Sequence, residues 1–288
     1  MIHRTTTAVS TLALLLTVTP VVLAGGGSGC PPDSVRVGTV CVDKYEASVW
    51  QIAPTSKALV KKVLAGKATL DDLTAGGTLI GCQLVPDAQA NYPDNFPGDG
   101  QWTPVPGSDP PSPGVYAVSV AGVRPTTCTS WFQAAQACRL AGKRLVRNDE
   151  WQDAAAGTPD PGTADDHATT CNTTRPTSAV DLVLTGSRAA CRSSWGAFDM
   201  IGNAQEWVAD WVTLAEQCNA SWLADDFACV GAPSQPGVPG ALVRGGGFLD
   251  GQGAGVFNVR GDFDPSSDDV GTGVPLRALM RGSPGLER

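Results

Sequence analysis

Histidine is almost missing from this chain. Of 288 residues only His3 and His167 are histidines. That scarcity nearly excludes His-rich zinc or iron centres and leaves one candidate for any His-dependent nucleophilic mechanism in a chain stripped of its leader. Aromatic residues make up only 6% and charged residues 17%, while 34 Gly and 22 Pro punctuate the sequence. Such a chain is too apolar for disorder and too irregular for a coiled coil. There is no basic stripe and the formal charge is −8, so no nucleic-acid partner is expected, since nothing would neutralise its phosphates. No Cys-x-x-Cys occurs, which removes support for a thioredoxin-like site or a zinc ribbon. Internal repeats are absent, and beyond the N-terminus no run approaches the ~18 apolar residues of a membrane span.

What is present begins with a leader. Residues 1–24 carry Arg4, an apolar stretch from Thr11 to Val22, and Val22-Leu23-Ala24 at the end. This is the pattern of a secretory signal peptide, which predicts a secreted, periplasmic or cell-envelope protein. Cys30 is a candidate lipid-anchor site, although Gly27-Ser28-Gly29 lacks the aliphatic residue of a lipobox. Nine cysteines follow the leader. In an exported protein most should be in disulfides, and an odd number leaves at least one thiol over. Cys30/Cys41, Cys171/Cys191 and Cys218/Cys229 each bracket a short loop, and such pairs close at low entropic cost. Cys82, Cys128 and Cys138 then remain for one bond and one orphan.

The remainder reads as a single α+β domain over 37–288, preceded by a Gly/Pro linker at 25–36 and carrying a Pro/Gly-rich insertion at about 51–115. Val35 to Val42 alternates and predicts one strand, and Tyr116 to Val123 another. Lys57 to Leu73 predicts two short helices broken at Gly66. Ser130 to Leu140 has the 3–4 spacing of an amphipathic helix, and Asn148 is a good N-cap for a second helix over Asp149 to Ala156. The region 207–212 predicts a buried strand. Leu242 to Phe248 and Gly253 to Val259 predict short strands interrupted by glycine. Trp131, Trp151, Trp195, Trp207 and Trp211 are expected in the core.

Chemistry concentrates in Phe198 to Trp211, FDMIGNAQEWVADW. A turn through Gly202, Asn203 and Ala204 can aim the carboxylates of Asp199 and Glu206, with intervening carbonyls, at one point. Hard cations such as calcium take six to eight oxygens. On spacing alone, an Asp cap with a surface Glu explains the same residues.

This segment resembles the GLYDMVGNVWEW signature of the formylglycine-generating enzyme family, also called sulfatase-modifying factors. Four further segments agree in order: CVDKYEAS (41–48), the helix pair TSWFQAAQACRLAGKRLVRNDEWQDAAAGTPD (129–160), CNTT (171–174) and LVRGGGF (242–248). The resemblance implies that family's irregular C-type-lectin-like fold, with little regular secondary structure, disulfide bracing and bound calcium. It implies calcium ligands at Asp199 and Glu206 through side chains and at Gly202 and Ala204 through carbonyls. A first calcium site would start at Asn172 with the carbonyl of Thr173, without a clear downstream half.

The family's oxidases carry a copper(I)-binding cysteine pair just after the RGGS strand. Here the matching run, Leu249 to Phe257, holds no Cys, the last cysteine anywhere is Cys229, and Asp250 stands near the first thiol's place. A carboxylate replaces neither copper(I) ligation nor thiol redox chemistry. Copper is therefore not expected. The family's C-terminal Cys partner of the helix position is matched by Ala278, which implies that Cys138 is the orphan and that Cys82 pairs with Cys128. The expected function is a non-redox binding or structural module outside the cell, taking a peptide or carbohydrate beside Asp250 to Phe257. The alternative is a sulfatase-modifying-factor-type oxidase. Minor signals are Arg260-Gly261-Asp262, the sequons at Asn172 and Asn219, an acidic loop at Asp262, Asp264, Asp268 and Asp269, and His167 in a polar loop.

Overall fold

The computed structural model describes residues 29–81, 114–127, 129–174, 182–212, 226, 228–229, 239–265, 279–280 and 282–284. A hairpin comes first, β1 (Ser34–Val37) against β2 (Val40–Asp43). The alternation of Val35 to Val42 thus hides a reversal at Gly38-Thr39, where Gly38 has φ +55°, a conformation glycine adopts without Cβ strain. The hairpin starts inside the stretch read as linker, and the Cys30–Cys41 disulfide fastens its lead-in to β2.

β3 (Ala47–Ile52) lies antiparallel between β4 (Gly77–Ile80) and β5 (Gly114–Ser119). Helices α1 (Lys57–Leu64) and α2 (Leu70–Gly76) separate where expected, at Gly66 with φ +63°. Thr69 and Asp72 close a reciprocal capping box on α2, satisfying two donors that a helix start leaves open. Leu59, Val63 and Leu73 pack on Trp50, Ile52 and Tyr116, so part of the region read as an insertion builds its own core on this sheet.

The opposite face of that sheet receives α3 (Trp131–Leu140), capped by Ser130 and Gln133. Its Ala134, Ala137 and Cys138 are small enough to let the helix settle against Val49, Val115, Trp207 and Phe263. β6 (Lys143–Leu145) leads into α4 (Asn148–Ala155). Asn148 is the first helical residue rather than the cap. Its backbone N–H donates to Asp210 Oδ2 (2.6 Å), and the Glu150 carboxylate accepts from the Arg147 N–H (2.9 Å). Trp151, Ala154 and Ala155 bury against Val42, Met200, Val208 and Leu242.

The largest sheet combines β7 (Glu206–Val212), β8 (Ala228–Cys229), β9 (Gly240–Gly245), β10 (Gly255–Phe263) and β11 (Leu279–Met280) in the order β11-β7-β9-β10-β8. β12 (Gly282–Pro284) returns to pair with β6. Regular structure is sparse, and long irregular segments are held by specific bonds.

Two expected disulfides, Cys30–Cys41 and Cys171–Cys191, are formed, and Cys138 is a free, buried thiol. The Cys82–Cys128 and Cys218–Cys229 pairings fall outside the described residues or side chains, as do Asn219, Asp268, Asp269 and Ala278. One reading needs correction. Trp195 and Trp211 are 45% and 39% exposed rather than in the core: Trp195 sits in a turn, and Trp211 packs edge-on against Trp131 and the exposed Phe132 on the surface. Asn172 is only 3% exposed and donates its amide to Asn203, so its sequon is closed in the folded chain. Arg260 and Asp262 lie in β10 and pair with each other at 2.8 Å, so the Arg-Gly-Asp tripeptide is part of a sheet and not a displayed loop.

Candidate functional site

The loop entering β7 is the most contorted in the described structure. Asp199 and Asn203 adopt φ +57° and +56°, and Gly202 between them +71°. Non-glycine residues rarely hold this left-handed conformation, and surrounding bonds must over-determine it. Here they do. Asp199 N–H donates to the Cys191 carbonyl (3.0 Å), next to the Cys171–Cys191 bridge, and Asn203 N–H donates to the Asn172 carbonyl (2.7 Å). A Cβ on Gly202 would stand 2.3 Å from the Asn172 carbonyl oxygen, so only glycine fits.

Asp199 and Glu206 are both buried. Asp199 Oδ2 accepts from the Gly186 N–H (2.7 Å), and Glu206 Oε2 accepts from the Trp151 indole N–H (2.5 Å). A third buried carboxylate, Glu46, takes the Asn203 amide (2.5 Å) and the Ala204 N–H (3.3 Å). The Asn203 side-chain oxygen accepts in turn from Asn172 and from Val183 N–H. The four residues expected to hold calcium therefore lie in one buried stretch, the loop and the first residue of β7. All their donors are oxygen, which suits a hard cation. Among the described residues no three His, Cys, Asp or Glu side chains gather closely enough to hold a metal by themselves, so carbonyls of Gly202 and Ala204 would have to complete the set. At the other expected site, the Thr173 carbonyl accepts from the Gly251 N–H (2.9 Å), and Asn172 faces Asn203.

That Gly251 contact joins the 171–174 segment, whose Asn172 carbonyl holds the loop, to the turn after β9. Gly245 and Gly246 adopt φ +84° and +74°, and a Cβ on Gly246 would lie 2.6 Å from Ala254 Cα. The turn brings Phe248 N–H to the Asn203 carbonyl (3.2 Å). Asp250 then precedes a single 3₁₀ turn, Gly251–Gly253. Its Oδ2 accepts from the Gly247 N–H (2.7 Å) and the Gln205 side-chain amide (3.4 Å). The two segments singled out in the sequence are thus neighbours.

Arg244 braces the site from beneath. Its guanidinium stacks 4.6 Å from the Trp151 ring centroid and donates to Asn148 Oδ1 (2.8 Å), to Gln152 and to the Val256 carbonyl (2.9 Å). Burial pulls its pKa down to about 10, with Asp226 opposing that shift. Trp151 is held at its face by Arg244 and at its indole N–H by Glu206. Glu46, Gln205 and Arg244 were not singled out in the sequence. The segments carrying Glu46 and Arg244 were noticed, but the partners are too remote in sequence for a local signal.

His167 has φ +55° and sits 3.4 Å from the Asp165 carboxylate in an exposed loop. No thiolate stands near Asp250 among the described residues. The arrangement there can accept hydrogen bonds and present negative charge; Asp250 has no redox chemistry of its own.

Among solved structures the chain is similar to the Major Tropism Determinant U1 variant (18% identity, TM-score 0.43) and M1 variant (18%, 0.44), covering 88% of this chain and 52% of each of theirs. It thus spans about half the length of those proteins. It is also similar to CarF, at 13% identity and TM-score 0.41 over 85% of both chains. Among curated proteins none matches. Residues 31–274 match the family model of the sulfatase-modifying factor enzyme 1-like domain. A match of that extent includes the 199–206 loop, the glycine turn and Asp250, and the chain belongs to that family.

Proposed function

We propose that this chain is an exported, non-redox member of its family: a binding module braced by disulfides and calcium, whose surface beside Asp250 to Phe257 takes a peptide or carbohydrate. One observation carries the reading. Where the resemblance calls for the first redox thiol, Asp250 accepts hydrogen bonds from Gly247 and Gln205, and no cysteine follows Cys229. Copper(I) prefers thiolate, and a carboxylate does not substitute for it. Export is supported by the leader pattern of residues 1–24 and by two disulfides, which persist in oxidising compartments. Calcium is supported by the all-oxygen donor set of Asp199, Gly202, Ala204 and Glu206. If bound, the ion would supply charge neutralisation to two buried carboxylates.

Purified protein should retain no stoichiometric copper(I) and consume no oxygen when given a cysteine-containing peptide. Conversion of that cysteine to an aldehyde would overturn the proposal and restore the oxidase reading.

A further inference from the structure

The acidic total hides one basic spot. The chain has six lysines, and four of them, Lys57, Lys61, Lys62 and Lys67, lie in α1 or just past its end. All four are exposed. Lys62 reaches Asp72 at 2.5 Å. The other three make no ion pair or side-chain hydrogen bond among the described residues. Asp71, at the start of α2, is the remaining carboxylate close by. The cleft between the two helices offers an anion little, because its one cation, Lys62, is already paired.

The helix period fixes where these side chains stand. Leu59 and Val63 are buried on Trp50, Ile52 and Tyr116, so the apolar stripe of α1 is spent on the core. Lys57, Lys61 and Leu64 follow at spacings of four and three, which sets them one above another on the outward face. Leu64 is 53% exposed, more than any other large apolar side chain among the described residues. A lone exposed leucine is ordinary. This one stands among ammonium groups that no carboxylate balances.

Position is the second observation. Gly66, just past the helix, has φ +63°, and a Cβ there would lie 2.7 Å from Pro31 Cβ. The basic face therefore ends against the start of the described chain, where residues 25–30 lead back to the leader pattern of residues 1–24. Those connecting residues span at most about 20 Å when extended, so a bilayer that held the leader would lie within reach of α1.

Polybasic segments are drawn to anionic headgroups, and an apolar side chain among them can enter the headgroup boundary. The total of −8 opposes approach from afar, but physiological salt screens charges beyond about 8 Å. We infer that α1 docks the chain on anionic lipid, with Lys57, Lys61 and Lys67 on the headgroups and Leu64 inserted between them. The inference rests on the export reading only for which membrane is met, and it depends on neither Asp250 nor calcium.

The test uses the exported, leader-free chain, sedimented with vesicles of phosphatidylcholine alone or with added phosphatidylglycerol. A lysine at an anionic surface is worth about fivefold, so three should give a preference of roughly a hundredfold for the anionic vesicles. High salt should erase it. Lys57→Gln/Lys61→Gln/Lys67→Gln, all at exposed positions, should abolish it without moving the urea midpoint. Leu64→Ser should weaken binding several-fold and keep the salt dependence. The wild-type lipid and salt dependence needs no variant. Equal uptake by both vesicles, no uptake, uptake that survives the triple substitution, or binding of polyglutamate with the vesicles ignored would overturn the inference. Recovery of unprocessed chain from the cytoplasm would remove the export reading instead, and aldehyde formation on a cysteine peptide the non-redox one.

Discussion

Cys138 shows how much one buried side chain can say about solution behaviour. It is fully enclosed on the inner face of α3. Burial is the main reason its pKa is pushed far above the usual thiol value. The Asp43 charge adds to the rise and Lys143 opposes it. The folded state keeps the thiol proton while the unfolded state sheds it above about pH 8.5. The unfolded chain thus binds fewer protons, and stability should fall as pH rises through the alkaline range, by about 1.4 kcal/mol per pH unit for this one group. The Tyr116 hydroxyl, raised by burial, and the Lys143 ammonium, raised by Asp43 and Asp33 against its own desolvation, add the same sign of slope from about pH 10. Urea titrations of Cys138→Ala should therefore show the alkaline loss beginning near pH 10 instead of near 8.5. Native protein should resist alkylation, and a denatured, unreduced sample should label at Cys138 alone.

Elements whose sequence signal is local were legible, and those built from distant partners were not. α3 announces itself through 3–4 apolar spacing, and α1 and α2 through a helical pattern broken at Gly66. The β1–β2 hairpin did not, because alternation continues through Gly38-Thr39 and gives no break in pattern. At the start of β7 and in the loop before it, the resemblance singled out Glu206 and Asp199, and both are buried. Glu46 was not singled out, since it meets Asn203 and Ala204 across 157 and 158 residues. That loop carries its own prediction. If calcium neutralises its buried carboxylates, EGTA should lower the melting temperature by several degrees, because a ligand of the native state alone stabilises by mass action. Glu206→Gln keeps an acceptor for the Trp151 indole and removes the charge. It should melt at the same temperature with and without chelator. A wild-type melt indifferent to EGTA would count against the calcium assignment.

At the scale of the whole molecule, one ion pair network fastens the first segment to the middle of the chain. Lys143 Nζ lies 2.7 Å from Asp33 Oδ2 and 2.6 Å from Asp43 Oδ1, and all three side chains are nearly inaccessible. Removing one member of such a network leaves uncompensated charge in a poorly solvated site. Lys143→Met should cost about 3–5 kcal/mol, read as a lower urea midpoint, because two carboxylates lose their cation. Replacing all three with apolar residues should recover much of that loss, since the network itself need not be strongly stabilising. The same network sets an order of events. Asp33 and Asp43 are separated from Lys143 by 110 and 100 residues, and β12, close to the C-terminus, must pair with β6 beside them. A polypeptide emerging from a ribosome or a translocation channel N-terminus first cannot seat its opening hairpin until α3 and β6 have followed. Its beginning can dock only after its middle, although the β1–β2 hairpin and its Cys30–Cys41 bridge need no later residue to form.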